Sequence, residues 1–186
     1  MTRLVLIDRD GTINVERNYL SAPDQIQLLP QAAEGIKILR GIGLSIAVVT
    51  NQSGIGRGFF DTARLGEIHQ RLEKVLREAG TKIDAIYFCP HTPPDNCKCR
   101  KPQTDLAQAA ARDFNTDLSK SFVIGDNVCD IELGKNIGAT TILVRTGYGL
   151  ETESKLAAKP DYAVENLFEA ANLIRKILEK DGGSTK

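Results

Sequence analysis

The chain of 186 residues carries no net charge and no long hydrophobic run. Its 24 Lys and Arg residues balance 24 Asp and Glu residues, so it lacks the overall positive field that draws nucleic acid or an anionic membrane to a protein. The longest apolar stretches are a few residues, whereas a helix needs about 20 to span a bilayer. Asp8 also lies where the apolar core of a signal peptide would be. We therefore expect a soluble, cytoplasmic protein that binds neither nucleic acid nor membranes.

Cysteine is scarce too, with four in the chain, and three of them fall in one short segment. In a cytosolic protein such clustering indicates metal binding rather than disulfides. Cys89 and His91 form one pair with a single residue between them, and Cys97 and Cys99 form a second. Three thiolates and one imidazole are a complete tetrahedral ligand set for Zn²⁺, which leaves no open position for a substrate. The sequence therefore predicts a structural zinc site.

Apolar runs alternate with segments of helical period along nearly the whole chain, whose length suits one domain over residues 1–180. Strict alternation with continuously apolar strands predicts a doubly wound, Rossmann-like parallel sheet with helices on both faces. We expect residues 181–186 to be a disordered tail. The predicted strands cover 4–7, 45–49, 85–88, 122–124, 141–144 and 162–164, and the predicted helices cover 31–42, 61–80, 104–114, a segment ending near 138, and 167–178.

In such a sheet, functional side chains collect at the carboxyl ends of the strands. Asp8 and Asp10 follow the first strand, and residues two apart on an extended segment point the same way. Gly11 allows the bend that would release both into a crevice. Two carboxylates so close favour a hard cation. Polar residues also follow three later strands, at Thr50 and Asn51, at Cys89 and His91, and at Gly125 and Asp126.

The opening motif, Asp-Arg-Asp-Gly-Thr at residues 8–12, resembles the nucleophile motif of the haloacid dehalogenase (HAD) superfamily of phosphatases. The resemblance covers most of the chain, and four motifs fall in the order of that superfamily. It implies that Asp8 attacks phosphorus and forms an aspartyl-phosphate. It also implies that Asp10 protonates the leaving group and later activates water, while its backbone carbonyl helps to hold Mg²⁺.

The same resemblance assigns roles to the later motifs. It implies that Thr50 donates to the phosphate and that Lys101 offsets the charge of nucleophile and phosphate. The acidic motif Gly-Asp-x-x-x-Asp at residues 125–130 implies that Asp126 is the remaining side-chain ligand of Mg²⁺, with Asp130 as a supporting carboxylate.

Larger HAD enzymes carry a cap domain either between the first two strands or after the third. Residues 13–30 and the cysteine-rich loop leave no room for one, so we expect loops to roof the site. Substrate choice should then depend on residues 12–19, on residues 51–58 and on the zinc loop.

Three segments together closely resemble the D-glycero-D-manno-heptose-1,7-bisphosphate 7-phosphatases: Asp-Arg-Asp-Gly-Thr-Ile-Asn, Thr-Asn-Gln-Ser-Gly-Ile-Gly-Arg-Gly, and Cys-x-His followed by Cys-x-Cys-Arg-Lys-Pro. That family removes the 7-phosphate on the route to nucleotide-activated heptose, a precursor of lipopolysaccharide or S-layer glycans. The resemblance implies a sugar bisphosphate substrate, catalytic Mg²⁺ and structural Zn²⁺, and we expect a monomer. Bidentate arginine would suit the second phosphate. The candidate substrate-binding residues are Arg9, Asn51, Arg57 and Arg100.

Three alternatives remain open. Histidinol-phosphate phosphatases share the opening motif and the zinc loop, but a cationic substrate would favour an acidic pocket, and Arg57 favours the bisphosphate. Polynucleotide 3′-phosphatases show a similar glycine loop, yet nucleic acid demands a basic track that this neutral chain lacks. A signalling receiver domain would accept phosphate on an aspartate at a later strand, and the third strand here ends in Cys89.

Overall fold

The computed structural model describes residues 3–157 and 159–183. Six strands form one sheet in which every pairing is parallel, and they are Leu4–Ile7 (β1), Ser45–Asn51 (β2), Ala85–Cys89 (β3), Phe122–Gly125 (β4), Thr140–Val144 (β5) and Tyr162–Val164 (β6). Their spatial order is β3-β2-β1-β4-β5-β6. The chain first builds the sheet outward from one side of β1 and then returns to the other side. The β1/β4 boundary is therefore the switch point at which ligands bind in such sheets.

Seven helices lie along the described residues, and they are Ala32–Gly41 (α1), Ser53–Gly56 (α2), Thr62–Glu78 (α3), Asp105–Asp113 (α4), Val128–Asn136 (α5), Gly149–Lys155 (α6) and Leu167–Gly183 (α7). The predicted strands and longer helices are confirmed. α3 begins after Asp61, whose carboxylate accepts a 2.8 Å hydrogen bond from the backbone N–H of Arg64.

Two helices and one chain end differ from the prediction. α2 and α6 were not predicted because four and seven residues are too short to show a helical period. α7 continues to Gly183, so residues 181–183 are helical rather than a disordered tail. Residues 184–186 lie outside the described part of the chain.

The core has two layers because successive side chains of a strand point to opposite faces. In β1, Val5 and Ile7 pack in the layer that holds α1, α3 and α7, whereas Leu4 and Leu6 pack in the layer that holds α4 and α5. All four side chains are buried. Burial on both faces explains why the strands are continuously apolar, and it confirms the doubly wound parallel sheet.

The two gaps in which a cap domain would lie are occupied by loops. Residues 8–31, between β1 and α1, contain one 3-10 turn at Pro23–Gln25. Residues 90–104, between β3 and α4, contain another at Pro93–Asp95. Neither of these described gaps carries a further domain, so the carboxyl edge of the sheet lies beneath loops alone, as predicted. Across the described residues, the helices are all too short or too polar to cross a bilayer.

Candidate active site

A cleft with a volume of about 340 Å³ opens at the carboxyl ends of the central strands. Seven predicted site residues line it: Asp8, Asp10, Thr50, Asn51 and Asp126 at or near strand ends, and Arg100 and Lys101 in the loop between β3 and α4. β1 and β4 lie side by side, and the backbone N–H of Asp8 donates to the carbonyl of Ile124 at 2.9 Å. This pairing brings carboxylate oxygens of Asp8, Asp126 and Asp130 within 4.8 Å of one another.

Lys101 holds the centre of this charge cluster. Its Nζ lies 2.7 Å from Oδ1 of Asp8 and 2.7 Å from Oδ1 of Asp130, and it donates to the carbonyl of Val49 at 2.7 Å. An ammonium group has three protons, so all three are used. Burial lowers the pKa of Lys101, but the charges of Asp130 and Asp8 raise it by more. Lys101 therefore stays charged and fixes the direction of the Asp8 carboxylate.

Asp8 and Asp126 form a pair that is costly to ionise. Burial, opposed by Lys101 and reinforced by the charge of Asp130, raises the pKa of Asp8 to about 7. Burial followed by the charges of Asp8 and Asp130 raises the pKa of Asp126 to about 8. A divalent cation between them would remove this penalty, because it stabilises the charged form of both. The donors are hard oxygens, so the site fits Mg²⁺, and Asp8 and Asp126 are the side chains able to hold it.

The surroundings of Asp10 favour its ionised form, whereas those of Asp8 and Asp126 disfavour theirs. Its carboxylate accepts hydrogen bonds from Arg9 (Nε at 3.0 Å and Nη2 at 2.7 Å), from Nδ2 of Asn14 at 2.9 Å and from Nε2 of Gln52 at 3.0 Å. Burial raises the pKa of Asp10, but the charge of Arg9 and these hydrogen bonds lower it by more. Asp10 is therefore ionised when the cleft holds no substrate.

Arg9 does not lie where the prediction places it. We expect from the sequence a substrate contact, but its side chain is fully buried and is absent from the residues lining the cleft. Arg9 lies at a bend just after β1, and its side chain turns into the protein interior. It reaches the Asp10 carboxylate from inside the protein. Arg9 thus orients Asp10 and cannot touch a ligand in the cleft.

Thr50 is oriented by a residue that the sequence analysis missed. Its Oγ1 accepts a 2.9 Å hydrogen bond from Nε2 of Gln52, so its own proton can be donated to a phosphate oxygen. The other end of the Gln52 amide accepts from Nη2 of Arg9 at 3.0 Å. Gln52 thereby links Thr50, Arg9 and Asp10. Its place two residues after Thr50, on the same side of the strand end, is the signal that could have found it.

Asn51 lines the cleft, but its amide group is engaged with the backbone of Lys101. Oδ1 of Asn51 accepts from the Lys101 N–H at 3.0 Å, and Nδ2 donates to the Lys101 carbonyl at 3.2 Å. The predicted substrate contact is therefore also an anchor that holds the loop of Lys101 against β2.

The loop after β5 packs over the Asp8 and Asp126 carboxylates, and the sequence analysis also missed this loop. The backbone N–H of Tyr148 donates to Oδ2 of Asp126 at 2.7 Å, and the Thr146 hydroxyl donates to the Gly11 carbonyl at 2.6 Å. Gly11 (φ +79°) and Gly147 (φ +55°) approach so closely that a Cβ on either would lie 2.1 Å from Oδ2 of Asp126. Gly147 and Gly149, which closely follow the predicted fifth strand, are the sequence feature that could have indicated this close approach.

The two predicted arginines differ in position. Arg100 lines the cleft, and its Nη1 donates to the His91 carbonyl at 3.3 Å. Arg57 is exposed, and its guanidinium lies 5.5 Å from the centre of the Tyr19 ring, which does line the cleft. Arg100 is thus placed inside the cleft, and Arg57 lies at its rim.

The predicted Cys/His cluster is assembled. Sγ of Cys89 lies 3.5 Å from Sγ of Cys97 and 3.2 Å from Sγ of Cys99, and Nδ1 of His91 lies 3.2 Å from Sγ of Cys99. Sulfur ligands 2.3 Å from a tetrahedral zinc ion are about 3.8 Å apart, so small outward shifts would accommodate the ion. The donor set and its spacing are therefore compatible with zinc.

Comparison with known proteins gives a consistent result. A family model described as HAD-hydrolase-like matches residues 98–170. The chain is 37% identical to the D-glycero-beta-D-manno-heptose-1,7-bisphosphate 7-phosphatase of Pseudomonas aeruginosa, over 82% of this chain and 86% of the relative. It is 36% identical to the D-glycero-D-manno-heptose-1,7-bisphosphate 7-phosphatase of Thermosynechococcus vestitus, over 91% of this chain and 94% of the relative.

Among solved structures, the fold superimposes on D,D-heptose 1,7-bisphosphate phosphatase from B. bronchiseptica complexed with magnesium and phosphate. The TM-score is 0.88 at 33% identity, over 94% of this chain and 99% of that one. The match spans nearly the full length of both proteins and is supported by the sequence relatives. The chain therefore belongs to the heptose-1,7-bisphosphate 7-phosphatase family of HAD-like hydrolases.

Proposed function

We propose that the protein is a Mg²⁺-dependent phosphatase that removes the 7-phosphate of D-glycero-D-manno-heptose 1,7-bisphosphate during the synthesis of nucleotide-activated heptose. The observation that carries the proposal is the meeting of Asp8, Asp126 and Lys101 at adjacent strand ends, where a nucleophile, a cation-binding pair and a fixed positive charge face one cleft. The names of the relatives support the choice of substrate.

The first half of the reaction transfers the phosphoryl group to Asp8. A carboxylate oxygen of Asp8 attacks phosphorus, and the bond between phosphorus and the sugar oxygen breaks. The sugar oxygen takes a proton from Asp10, and the hydroxyl of Thr50 donates to a phosphoryl oxygen. Asp10 is ionised without substrate, but a phosphate dianion beside it raises its pKa, so Asp10 carries this proton when the substrate is seated. The products are an aspartyl-phosphate and the heptose 1-phosphate.

The second half returns Asp8 to its starting state. Asp10, now a carboxylate, takes a proton from a water molecule whose oxygen attacks phosphorus. The bond between phosphorus and Asp8 breaks, and inorganic phosphate leaves. Arg9, Asn14 and Gln52 hold Asp10 in one orientation through both steps.

Asp8 and Asp126, with the Asp10 carbonyl, would hold Mg²⁺, which supplies positive charge beside the nucleophile and the incoming phosphate. Zn²⁺ in the Cys/His cluster would be structural. Cys99 precedes Arg100 directly, and Arg100 also donates to the His91 carbonyl, so ordering the cluster aims Arg100 into the cleft. Arg100 in the cleft and Arg57 at its rim then bind the second phosphate.

The expected partner is the small-molecule substrate. A cytoplasmic location and a monomeric state stay predictions, and sedimentation of the purified protein would test the second.

Rates measured side by side on five substrates test the proposal: the α and β anomers of heptose 1,7-bisphosphate, fructose 1,6-bisphosphate, histidinol phosphate and a 3′-phosphorylated oligonucleotide. We expect kcat/KM for a heptose bisphosphate to exceed that of the other classes by about 100-fold, which corresponds to about 2.7 kcal/mol of transition-state discrimination. Phosphorus NMR should show loss of the 7-phosphate and retention of the 1-phosphate. Faster hydrolysis of histidinol phosphate or of the oligonucleotide would contradict the assignment.

A further inference from the structure

Behind Asp10 lies a group of buried polar atoms that lack partners. Across residues 3–157 and 159–183, five buried side-chain polar atoms make no hydrogen bond: Arg9 Nη1, Thr12 Oγ1, Asn14 Oδ1, His69 Nε2 and Thr81 Oγ1. Three of them belong to the turn that carries Asp10. Buried polar groups in native proteins almost always find a partner, so unpaired atoms concentrated at one place require an explanation.

The unpaired atom of Arg9 is a donor that needs an acceptor. Nε and Nη2 of Arg9 bind the Asp10 carboxylate, and Nη2 also donates to Gln52, which leaves Nη1 alone. A guanidinium group has no acceptor atom, so Nη1 can be satisfied only by an acceptor. Because Arg9 is fully buried, bulk water cannot supply one.

His69 brings an acceptor to this region from α3. It lies on the same helix face as Leu65 and Leu72, which are buried in the core, and its ring meets Phe88 edge-on with the ring centres 5.9 Å apart. Phe88 is paired in register with Thr50, whose hydroxyl is bound by the same Gln52 side chain that binds Arg9, and this places the His69 ring in the region of Arg9.

The His69 ring is neutral. Burial, reinforced by the charge of Arg9 and opposed by that of Asp10, lowers its pKa to about 4. A neutral imidazole has one nitrogen that donates and one that accepts. If Nδ1 carries the proton, the buried Nε2 is an acceptor of the kind that Arg9 lacks. A protonated ring would instead repel the guanidinium.

We propose that one buried water accepts a hydrogen bond from Nη1 of Arg9 and donates one to Nε2 of His69, so that His69 is a positioning residue that fixes the guanidinium orienting Asp10. The inference rests on the proposed function, in which Asp10 is the acid and base of the reaction. His69 touches neither substrate nor phosphate.

Substitution of His69 tests this role. We expect His69→Leu to lower kcat by about 10-fold and to change KM by less than about 2-fold, because orientation of the acid affects the transition state more than substrate binding. His69→Gln keeps an acceptor and should retain most of the activity. Gln70→Leu, at an exposed position on the same helix, is the matched control. An unchanged kcat in His69→Leu, or an equal loss in His69→Gln, would overturn the proposal.

A double-mutant cycle separates this role from a purely structural one. If His69 acts through Arg9, then His69→Leu should have no further effect on kcat in a protein that already carries Arg9→Met. Additive losses in the two variants would mean that His69 acts by another route. A loss of kcat in Thr12→Val with none in His69→Leu would assign the acceptor to Thr12 and also reject the proposal.

Two further measurements keep the test decisive. Nitrogen-15 NMR of the unaltered protein should show His69 neutral with its proton on Nδ1, and a proton on Nε2 would reject the proposal even if His69→Leu does not fold. All variants should also be assayed on p-nitrophenyl phosphate, which needs Asp8 and Asp10 but no sugar recognition. A protein that hydrolyses this ester and no heptose bisphosphate would refute the proposed substrate while leaving the test of His69 intact.

Discussion

Nζ of Lys101 lies 2.7 Å from Oδ1 of Asp8, although 93 residues separate the two along the chain. The same ammonium group is bound to Asp130 and to a backbone carbonyl. Lys101 therefore aligns the proposed nucleophile, Asp8, and its own direction is fixed by its bonds to Asp130 and to the Val49 carbonyl. A fixed charge of this kind is already in place when a phosphate approaches, so the protein needs little rearrangement during the reaction.

Replacing Lys101 by Met should lower kcat by at least about 100-fold, because it removes a preorganised positive charge from the transition state. It should also destabilise the protein by roughly 3 kcal/mol, because two buried carboxylates lose their partner. Single-turnover kinetics and urea unfolding would measure the two effects. Lys98→Met, at an exposed position three residues earlier, is the control and should change neither. A Lys101→Met protein with normal kcat would remove the lysine from the mechanism.

Asp8→Asn should abolish turnover and leave the fold intact, since the amide is no nucleophile and has nearly the same shape as the carboxylate. Mass spectrometry after rapid quenching should find a phosphorylated peptide containing residue 8 in the unaltered protein and none in the variant. Asp24→Asn, at an exposed position, should retain both turnover and labelling. Labelling of Asp8→Asn would place the nucleophile elsewhere.

Without Mg²⁺, the stability of the protein should fall as the pH rises from about 4 to about 8. The pKa values of Asp8 and Asp126 are raised from 3.8 to about 7 and about 8, so the folded protein binds more protons than the unfolded chain across this interval. The unfolding free energy therefore decreases until both groups have lost their protons. The lowered pKa of Asp10 acts only in acid, where its stabilising contribution is lost as the pH falls.

Thermal melting with and without Mg²⁺ checks this dependence. Because the ion favours both carboxylates, Mg²⁺ should raise Tm more near pH 8 than near pH 5, and the difference should shrink in Asp126→Asn. A Mg²⁺ effect on Tm that is independent of pH would show that these two carboxyl groups do not titrate together with metal binding.

Cys99→Ser should release zinc from the purified protein and lower kcat/KM by about 10-fold, mainly through KM, because Arg100 loses its support. The core should melt at nearly the same temperature, since the cluster lies on a loop. Elemental analysis and substrate titration would measure the outcome, with Cys129→Ala as the control for zinc content. Full zinc retention in Cys99→Ser would exclude the proposed ligand set.

Gly11→Ala should weaken Mg²⁺ binding and destabilise the protein by more than the roughly 1–2 kcal/mol expected from backbone strain alone. The reason is the contact that a Cβ would make with Asp126. Gly43→Ala is the matched control, because Gly43 has a similar φ of +82° with nothing within 4 Å of an added Cβ. Equal losses in the two variants, measured by urea unfolding and Mg²⁺ titration, would show that only the φ angle matters.

Much of the site could be predicted because it follows from strand order and local spacing. Asp8 and Asp126 directly follow neighbouring strands of a parallel sheet. The four candidate zinc ligands come from two pairs, each with a single residue between its members, so their closeness could be read from the sequence. The spacing of Gln52 from Thr50 could have marked it as a site residue, but its contact with Arg9 could not be predicted, because that hydrogen bond joins segments 43 residues apart. The glycines after β5 could have marked this loop as a close approach, but the hydrogen bond from the backbone N–H of Tyr148 to Asp126 does not depend on the Tyr148 side chain and could not be predicted from residue type.

Asn51 makes two hydrogen bonds to the backbone of Lys101, and this arrangement has an evolutionary consequence. The lysine is tethered to β2 through Asn51 and, independently, to the Cys/His cluster through Cys99, two residues earlier in the chain. If mutation removes one of these two attachments, the other still holds Lys101 in position. A protein descended from this one could therefore replace its cysteines with ordinary loop residues and still keep the Lys101 ammonium group in place beside Asp8.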